Sequence, residues 1–232
     1  MSTAAVRRFD LYDFFSVLLP GLALILGLYP FYPQGLTISS LGAVLPLLAG
    51  GFAVGRVVHS AAVRIEDWIG SKGHRDLFAT EIRHSPTLDR ATVEAFYECC
   101  RSQFDIELTK DRTDLTDDAA LGLYSVVRSH VYIDSRGRSQ TFQAISAFYR
   151  SMWFVSVFLA VLVFLYGAFP AIQSAMPYPT KIATLSVPPQ WFTYGAIILF
   201  AGSYTTFREA KATHRELFVQ YLITDFISLS SP

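Results

Sequence analysis

The sequence predicts an all-α membrane protein with four transmembrane helices in two hairpins, a helical cytoplasmic insert between the second and third spans, and long helices that extend into the cytoplasm. The stretch from Met152 to Phe169 supplies eighteen residues without a charge, long enough to cross the ~30 Å hydrocarbon core of a bilayer. No Asp, Glu, Lys or Arg occurs between Arg150 and Lys181. Hydrophobic residues make up 52% of the chain and charged residues 16%, a balance typical of a small membrane protein with a modest soluble part.

Three other stretches are mostly apolar and have the length of a membrane span. They run from Phe14 to Phe31, from Leu41 to Val58 and from Trp191 to Phe207. The first is expected to remain in place as a signal anchor, because Asp10 and Asp13 interrupt its approach and no small-residue cleavage motif follows it. Together with the uncharged stretch described above, these segments form the four predicted spans.

The charge distribution predicts the orientation of these spans. Of nineteen Lys and Arg residues, only Lys181 lies in the two short connectors, residues 32–40 and 170–190. The positive-inside rule therefore places both termini and the central segment in the cytoplasm. Four regions follow: an N-terminal transmembrane hairpin (1–58), a cytoplasmic helical domain (59–150), a C-terminal transmembrane hairpin (151–207) and a cytoplasmic helical extension (208–232).

The cytoplasmic segment is predicted to be helical. Asp89 is expected to cap the start of one helix, and Thr116 the start of another. Cys100 is explained as part of an apolar helix face rather than as a redox-active thiol. That face consists of Val93, Phe96, Tyr97, Cys100 and Phe104. From Phe142 onwards, apolar residues at helical spacing run into the third span, and a similar pattern continues the fourth span as far as Phe226.

The sequence contains none of the common catalytic or phosphate-binding motifs, so the chain is not expected to be an enzyme. The sequence lacks four motifs: the P-loop, the Gly-x-Gly-x-x-Gly turn, the Gly-x-Ser-x-Gly elbow and the His-Glu-x-x-His pair. The five histidines are scattered, and the two cysteines are adjacent in sequence, which suits neither an ordinary disulfide nor a zinc pair. No cofactor and no metal is expected.

Two charges are predicted at comparable depth near the cytoplasmic ends of the first two spans. Arg56 follows Gly55 near the end of the second span, and Asp13 stands at the entrance of the first. An ionisable residue at this depth is costly unless it is paired, snorkels to the interface or lines water. A salt bridge with Asp13, simple snorkelling of Arg56 and a pore-lining role in gating all remain open.

The second span also carries a small-residue pattern that lets helices approach closely. Gly51 and Gly55 are four residues apart and therefore lie on the same helix face. This pattern predicts a helix-packing seam, either within the bundle or between subunits, although Gly is frequent enough in this helix for a chance occurrence. An exposed seam would favour a homo-oligomer.

Charge is segregated within the cytoplasmic segment. Residues 105–118 contain six acids against two bases, whereas residues 128–150 contain four arginines against one acid. Arginine offers bidentate contacts to phosphate, and Tyr or His stack on nucleic-acid bases. The ligand-binding residues that this pattern indicates are Arg128, His130, Tyr132, Arg136 and Arg138. Alternatively, these arginines flank a span or hold the acidic segment of a neighbouring subunit.

The opening of the chain, DLYDFFSVLLPG from Asp10 to Gly21, together with the predicted topology, resembles small bacterial membrane effectors of anti-phage defence, notably the Hailong type, which are encoded beside nucleotidyltransferases. The resemblance implies an oligomeric channel in the bacterial inner membrane. It further implies that a single-stranded oligodeoxyadenylate, made by the partner nucleotidyltransferase, keeps the channel silent. The motif covers about twelve residues and transfers no ligand residues.

Two functions are therefore expected as alternatives. The first is a ligand-gated ion channel or pore that acts as an oligomeric effector in the bilayer. The second is a non-catalytic membrane scaffold that anchors a cytoplasmic partner. A solute transporter is disfavoured, because the spans carry few polar side chains, whereas transporters normally need broken helices and midplane ionisable groups.

Overall fold

The computed structural model describes residues 11–34, 41–70, 72–104, 115–133, 138–175, 180–185 and 187–230. Helix accounts for 89% of these residues, and they include no β-strand, so the all-helical prediction is confirmed. One isolated antiparallel bridge pairs Pro33 with Thr180. Beside it, the Lys181 amide donates to Tyr32 O at 3.0 Å, and Lys181 Nζ lies 2.6 Å from the Tyr29 hydroxyl oxygen.

The described residues form a series of helices. The chain enters through a helical turn, Leu11–Asp13, and a π-helical segment, Phe14–Leu18. The α-helices are α1 (Leu19–Gly27), α2 (Val44–Trp68), α3 (His74–His84), α4 (Arg90–Phe104), α5 (Asp117–Ile133), α6 (Ser139–Ala168), α7 (Pro170–Ala175), α8 (Pro189–Gly202) and α9 (Glu209–Ser230). Turns of 3-10 helix cover Tyr29–Phe31, Leu41–Ala43 and Ile182–Leu185, and a second π-helical segment covers Ser203–Arg208.

Three helical stretches in the described part of the chain are long and apolar enough to cross a membrane. They are Phe14–Phe31, Val44–Trp68 and Ser139–Ala168, called spans 1, 2 and 3 below. The last is a single helix of 30 residues, which confirms that the apolar pattern beginning near Phe142 continues into span 3. The region of the predicted fourth span consists of α8, with 14 residues, and the π-helical segment that follows it.

The chain forms two compact units. The span unit comprises Met1–Trp68 and Ala144–Lys211, and the insert unit comprises Ile69–Gln143 and Ala212–Pro232. Helix α6 contributes its first five residues to the insert unit and the remainder to the span unit. Helix α9 is divided in the same way, after Lys211.

The insert unit has its own hydrophobic core, built by α3, α4, α5 and the end of α9. Phe226 occupies its centre, with ring centroids 5.4 Å from Phe96 and 5.6 Å from Phe104. Cys100 is fully buried in this core, as the helical spacing predicts, and burial raises the pKa of its thiol to about 12. The thiol is therefore uncharged at neutral pH and packs as a small apolar side chain.

Both predicted helix caps of the insert unit are present. Asp89 Oδ1 accepts a hydrogen bond from the Thr92 amide at 2.6 Å at the start of α4, and this bond lowers the pKa of Asp89. Thr116 Oγ1 accepts from the Ala119 amide at 3.3 Å at the start of α5. Each side chain satisfies a backbone donor that has no partner within its helix.

Two glycines of the insert unit are expected to respond to alanine with opposite signs. Gly70 has a φ of +71°, a conformation that side chains disfavour, whereas helical Gly122 has open space where a Cβ would lie. Gly70→Ala should therefore destabilise the protein by about 1 kcal/mol, and Gly122→Ala should stabilise it by a similar amount. Thermal unfolding of the full chain in detergent, followed by circular dichroism, measures both. If both substitutions shifted the unfolding midpoint in the same direction, the prediction would be contradicted.

Candidate functional site

Helix α5 presents two of the predicted ligand-binding residues on one face. Arg128 and Tyr132 are one helical turn apart, and the Arg128 guanidinium carbon lies 4.9 Å from the centroid of the Tyr132 ring. The Tyr132 hydroxyl donates a hydrogen bond to Gln143 Oε1, which fixes the direction of the ring. The structure thus brings this arginine and this aromatic ring together as a partly buried pair.

A second arginine, which the sequence did not indicate, lies on α3. The Arg75 guanidinium carbon is 5.9 Å from the centroid of the Tyr124 ring. Burial raises the pKa of Tyr124, while the charges of Arg128 and Arg75 act in the opposite direction. Both cations are therefore close enough to the same phenol to influence it. We call Arg75, Arg128 and Tyr132 the arginine face.

His130 does not belong to the arginine face. It follows Arg128 by two positions, and residues two apart on a helix point to different sides. Its ring lies 5.7 Å from Phe104 and 5.5 Å from Phe226, both members of the insert core or its edge. The sequence placed His130 beside Arg128 because the two are close along the chain, but the helix separates them.

The remaining predicted ligand residues lie around the start of α6. Arg138 is exposed, whereas Arg136 and the acidic stretch 105–114 lie outside the described residues. The Ser139 amide donates to Asp225 Oδ2 at 2.9 Å, so a carboxylate of α9 already occupies the positive N-terminal end of α6. An anion at this helix end would have to compete with Asp225.

In the span unit, the two predicted intramembrane charges form an ion pair. Arg56 Nη2 lies 3.0 Å from Asp13 Oδ1, and the guanidinium carbon also lies 5.1 Å from the centroid of the Phe52 ring. The Asp13 side chain is 18% exposed and that of Arg56 is 54% exposed, so the acid is the more deeply placed partner. Of the three alternatives that the sequence leaves open, the structure has the salt bridge.

Gly51 and Gly55 form a packing seam inside the chain. Both are buried, and a Cβ at Gly55 would lie only 2.0 Å from Val17 O of span 1. On the facing helix, a Cβ at Gly21 would lie 1.9 Å from Gly51 O. Of the two packing arrangements that the sequence leaves open, the structure has the one within the chain, because Gly21 and its neighbours in span 1 cover these glycines.

Among the described residues, no three His, Cys, Asp or Glu side chains lie close enough together to hold a metal ion. No protein-family model matches this chain, and no curated protein and no solved structure is significantly similar to it.

Proposed function

We propose that this chain is a multi-pass membrane effector that assembles into an oligomeric ion channel or pore, and that an anionic ligand bound to its insert unit controls the opening. Four spans cross the bacterial inner membrane as two hairpins, with both termini and the insert unit in the cytoplasm. The observation that carries this proposal is α6, one helix of 30 residues that contributes to both the insert unit and the span unit. A ligand that displaces the start of this helix acts directly on a membrane span.

The fourth span rests on the exposed apolar surface of α8. Ile197 and Ile198 are 58% and 71% exposed in the described chain, and the helix carries no charge. The π-helical segment after it extends the helical stretch to Arg208. Such side chains are stable against lipid or against another copy of the chain, but not against water.

The proposal that the chain oligomerises is supported by the polar groups of the span unit, which pair with each other. The ion pair of Asp13 with Arg56 and the bond from Ser151 Oγ to Ser16 O are made between helices of the same chain. Because these groups already have partners within one copy, they are not the lining of a path for ions. Conduction therefore requires several copies around a shared path. Apolar side chains exposed on α6 and α8 are the surfaces for that assembly, since the glycine seam is already covered.

The proposed ligand carries phosphate groups. The resemblance to the Hailong-type effectors implies that it is a single-stranded oligodeoxyadenylate. The arginine face supports this choice, because its two guanidinium groups can make bidentate contacts to phosphate, and that of Arg128 stands over the Tyr132 ring. Whether the ligand opens or silences the channel is decided by which arrangement of the oligomer it binds more tightly.

Purified full-length chain in proteoliposomes tests the proposal through potassium flux. We expect flux above that of empty vesicles, a change on adding short deoxyadenylate oligomers, and a weaker ligand effect as salt rises. Arg75→Ala with Arg128→Ala should abolish the ligand effect without abolishing flux. Arg90→Ala with Arg101→Ala, which removes the same charge from exposed sites on α4, is the control. An oligomer that inserts but conducts nothing under any condition would favour the scaffold alternative.

A further inference from the structure

A carboxylate at the end of span 2 is shared by two cations from other parts of the span unit. Glu66 Oε1 lies 3.0 Å from Lys211 Nζ, and Glu66 Oε2 lies 3.4 Å from Arg150 Nη1. The three side chains are only 11% to 17% exposed. Arg150 comes from α6 and Lys211 from α9, so one anion connects three helices that are distant in sequence.

Further polar contacts surround this group. Arg150 Nη2 lies 3.4 Å from His59 Nε2, and the Tyr12 hydroxyl oxygen lies at the same distance from that nitrogen. Lys211 Nζ also stands 5.8 Å from the centroid of the Trp153 ring. The contacts join the helical turn before span 1, the second half of α2, the middle of α6 and the start of α9.

The energetics of such a group favour two discrete arrangements. Charges withdrawn from water are strongly penalised when one partner is removed, because the remaining charges lack compensation. An apolar contact could hold the same helices together at lower cost, so the charges add little to stability as such. The ion pairs of Glu66 are either formed or broken, and a conformational switch requires two such discrete states.

We infer that Glu66, Arg150 and Lys211 form a charge clasp that holds α6 and the start of α9 against α2 in the resting protein, and that its release is the step that lets these helices move. The two cations stand on the two helices that also contribute to the insert unit. Movement of either helix separates its cation from Glu66. The link to channel opening rests on the proposed function, whereas the clasp itself does not.

Spin labels on exposed positions test the clasp without any transport measurement. Labels at Val57 of α2 and Phe158 of α6, in a full-length Cys99→Ser, Cys100→Ala background, report the distance between these helices. In Glu66→Gln we expect the distance between the two labels to change by about 2 Å or more, which is the size of helix displacements in known transitions. Asp67→Asn, which removes an exposed neighbouring carboxylate, should leave the distance unchanged.

Two further variants separate charge compensation from misfolding. Glu66→Asp keeps the charge but shortens the side chain, so it should fold and give a smaller shift of the same sign. The triple variant Glu66→Gln, Arg150→Met, Lys211→Met leaves no uncompensated charge and should restore the wild-type distance. An unchanged distance in both Glu66→Gln and Glu66→Asp would overturn the clasp. The expected distances combined with absence of potassium flux in every variant would support the clasp and overturn the channel.

Discussion

Gly55→Ala is expected to destabilise the span unit by at least about 2 kcal/mol, although it adds a single methyl group. The added Cβ would stand 2.0 Å from the carbonyl oxygen of Val17 and 3.1 Å from its Cγ1. A backbone atom cannot rotate away as a side chain can, so spans 1 and 2 must separate along the whole seam. Separation loses the packing on which helix association in a membrane depends.

Gly50→Ala is the matched control for this substitution. It adds the same methyl group to the adjacent turn of α2, where the nearest atom is Ile25 Cδ1 at an ordinary 3.8 Å. Thermal denaturation of the full chain in detergent, read by size-exclusion chromatography, should show a lowered midpoint for Gly55→Ala alone. Equal midpoints for the two variants would mean that spans 1 and 2 do not pack through Gly55.

Glu81→Ala is expected to release the connection between α3 and α4. Glu81 is only 4% exposed. Its carboxylate accepts three hydrogen bonds from the residues that connect α3 to α4. Glu81 Oε1 accepts from the amides of Leu88 at 2.7 Å and Thr87 at 3.1 Å, and Oε2 accepts from Thr87 Oγ1 at 2.8 Å. Bonds to an ionised acceptor are stronger than neutral ones, so we expect a loss of about 3 kcal/mol.

Amide hydrogen exchange on the full chain measures this loss where it occurs. The amides of Thr87 and Leu88 should exchange on the order of 100-fold faster in Glu81→Ala, the factor that corresponds to about 3 kcal/mol. Glu98→Ala, which removes an exposed carboxylate from α4, should leave their exchange unchanged. Equal exchange in the two variants would show that another group holds these amides.

The sequence by itself determined the helices, because the signals that define a helix are local. Asp89 and Thr116 cap α4 and α5 as expected, since a capping side chain reaches only two or three residues along the chain. The burial of Cys100 followed from helical spacing alone. Spans 1, 2 and 3 followed from long, mostly apolar stretches, which are a property of composition. The fourth span stays a prediction.

Tertiary structure alone decided which residues meet across helices. Gly21 closes the seam with Gly51 and Gly55, and Glu66 joins Arg150 to Lys211, although nothing local couples these positions. Such contacts depend on the rotation and the relative height of each helix, and periodicity in one segment specifies neither with respect to another. A basic cluster along the chain therefore predicted His130 as a ligand residue and overlooked Arg75, because proximity in sequence and proximity across a helix pair are set by different geometry.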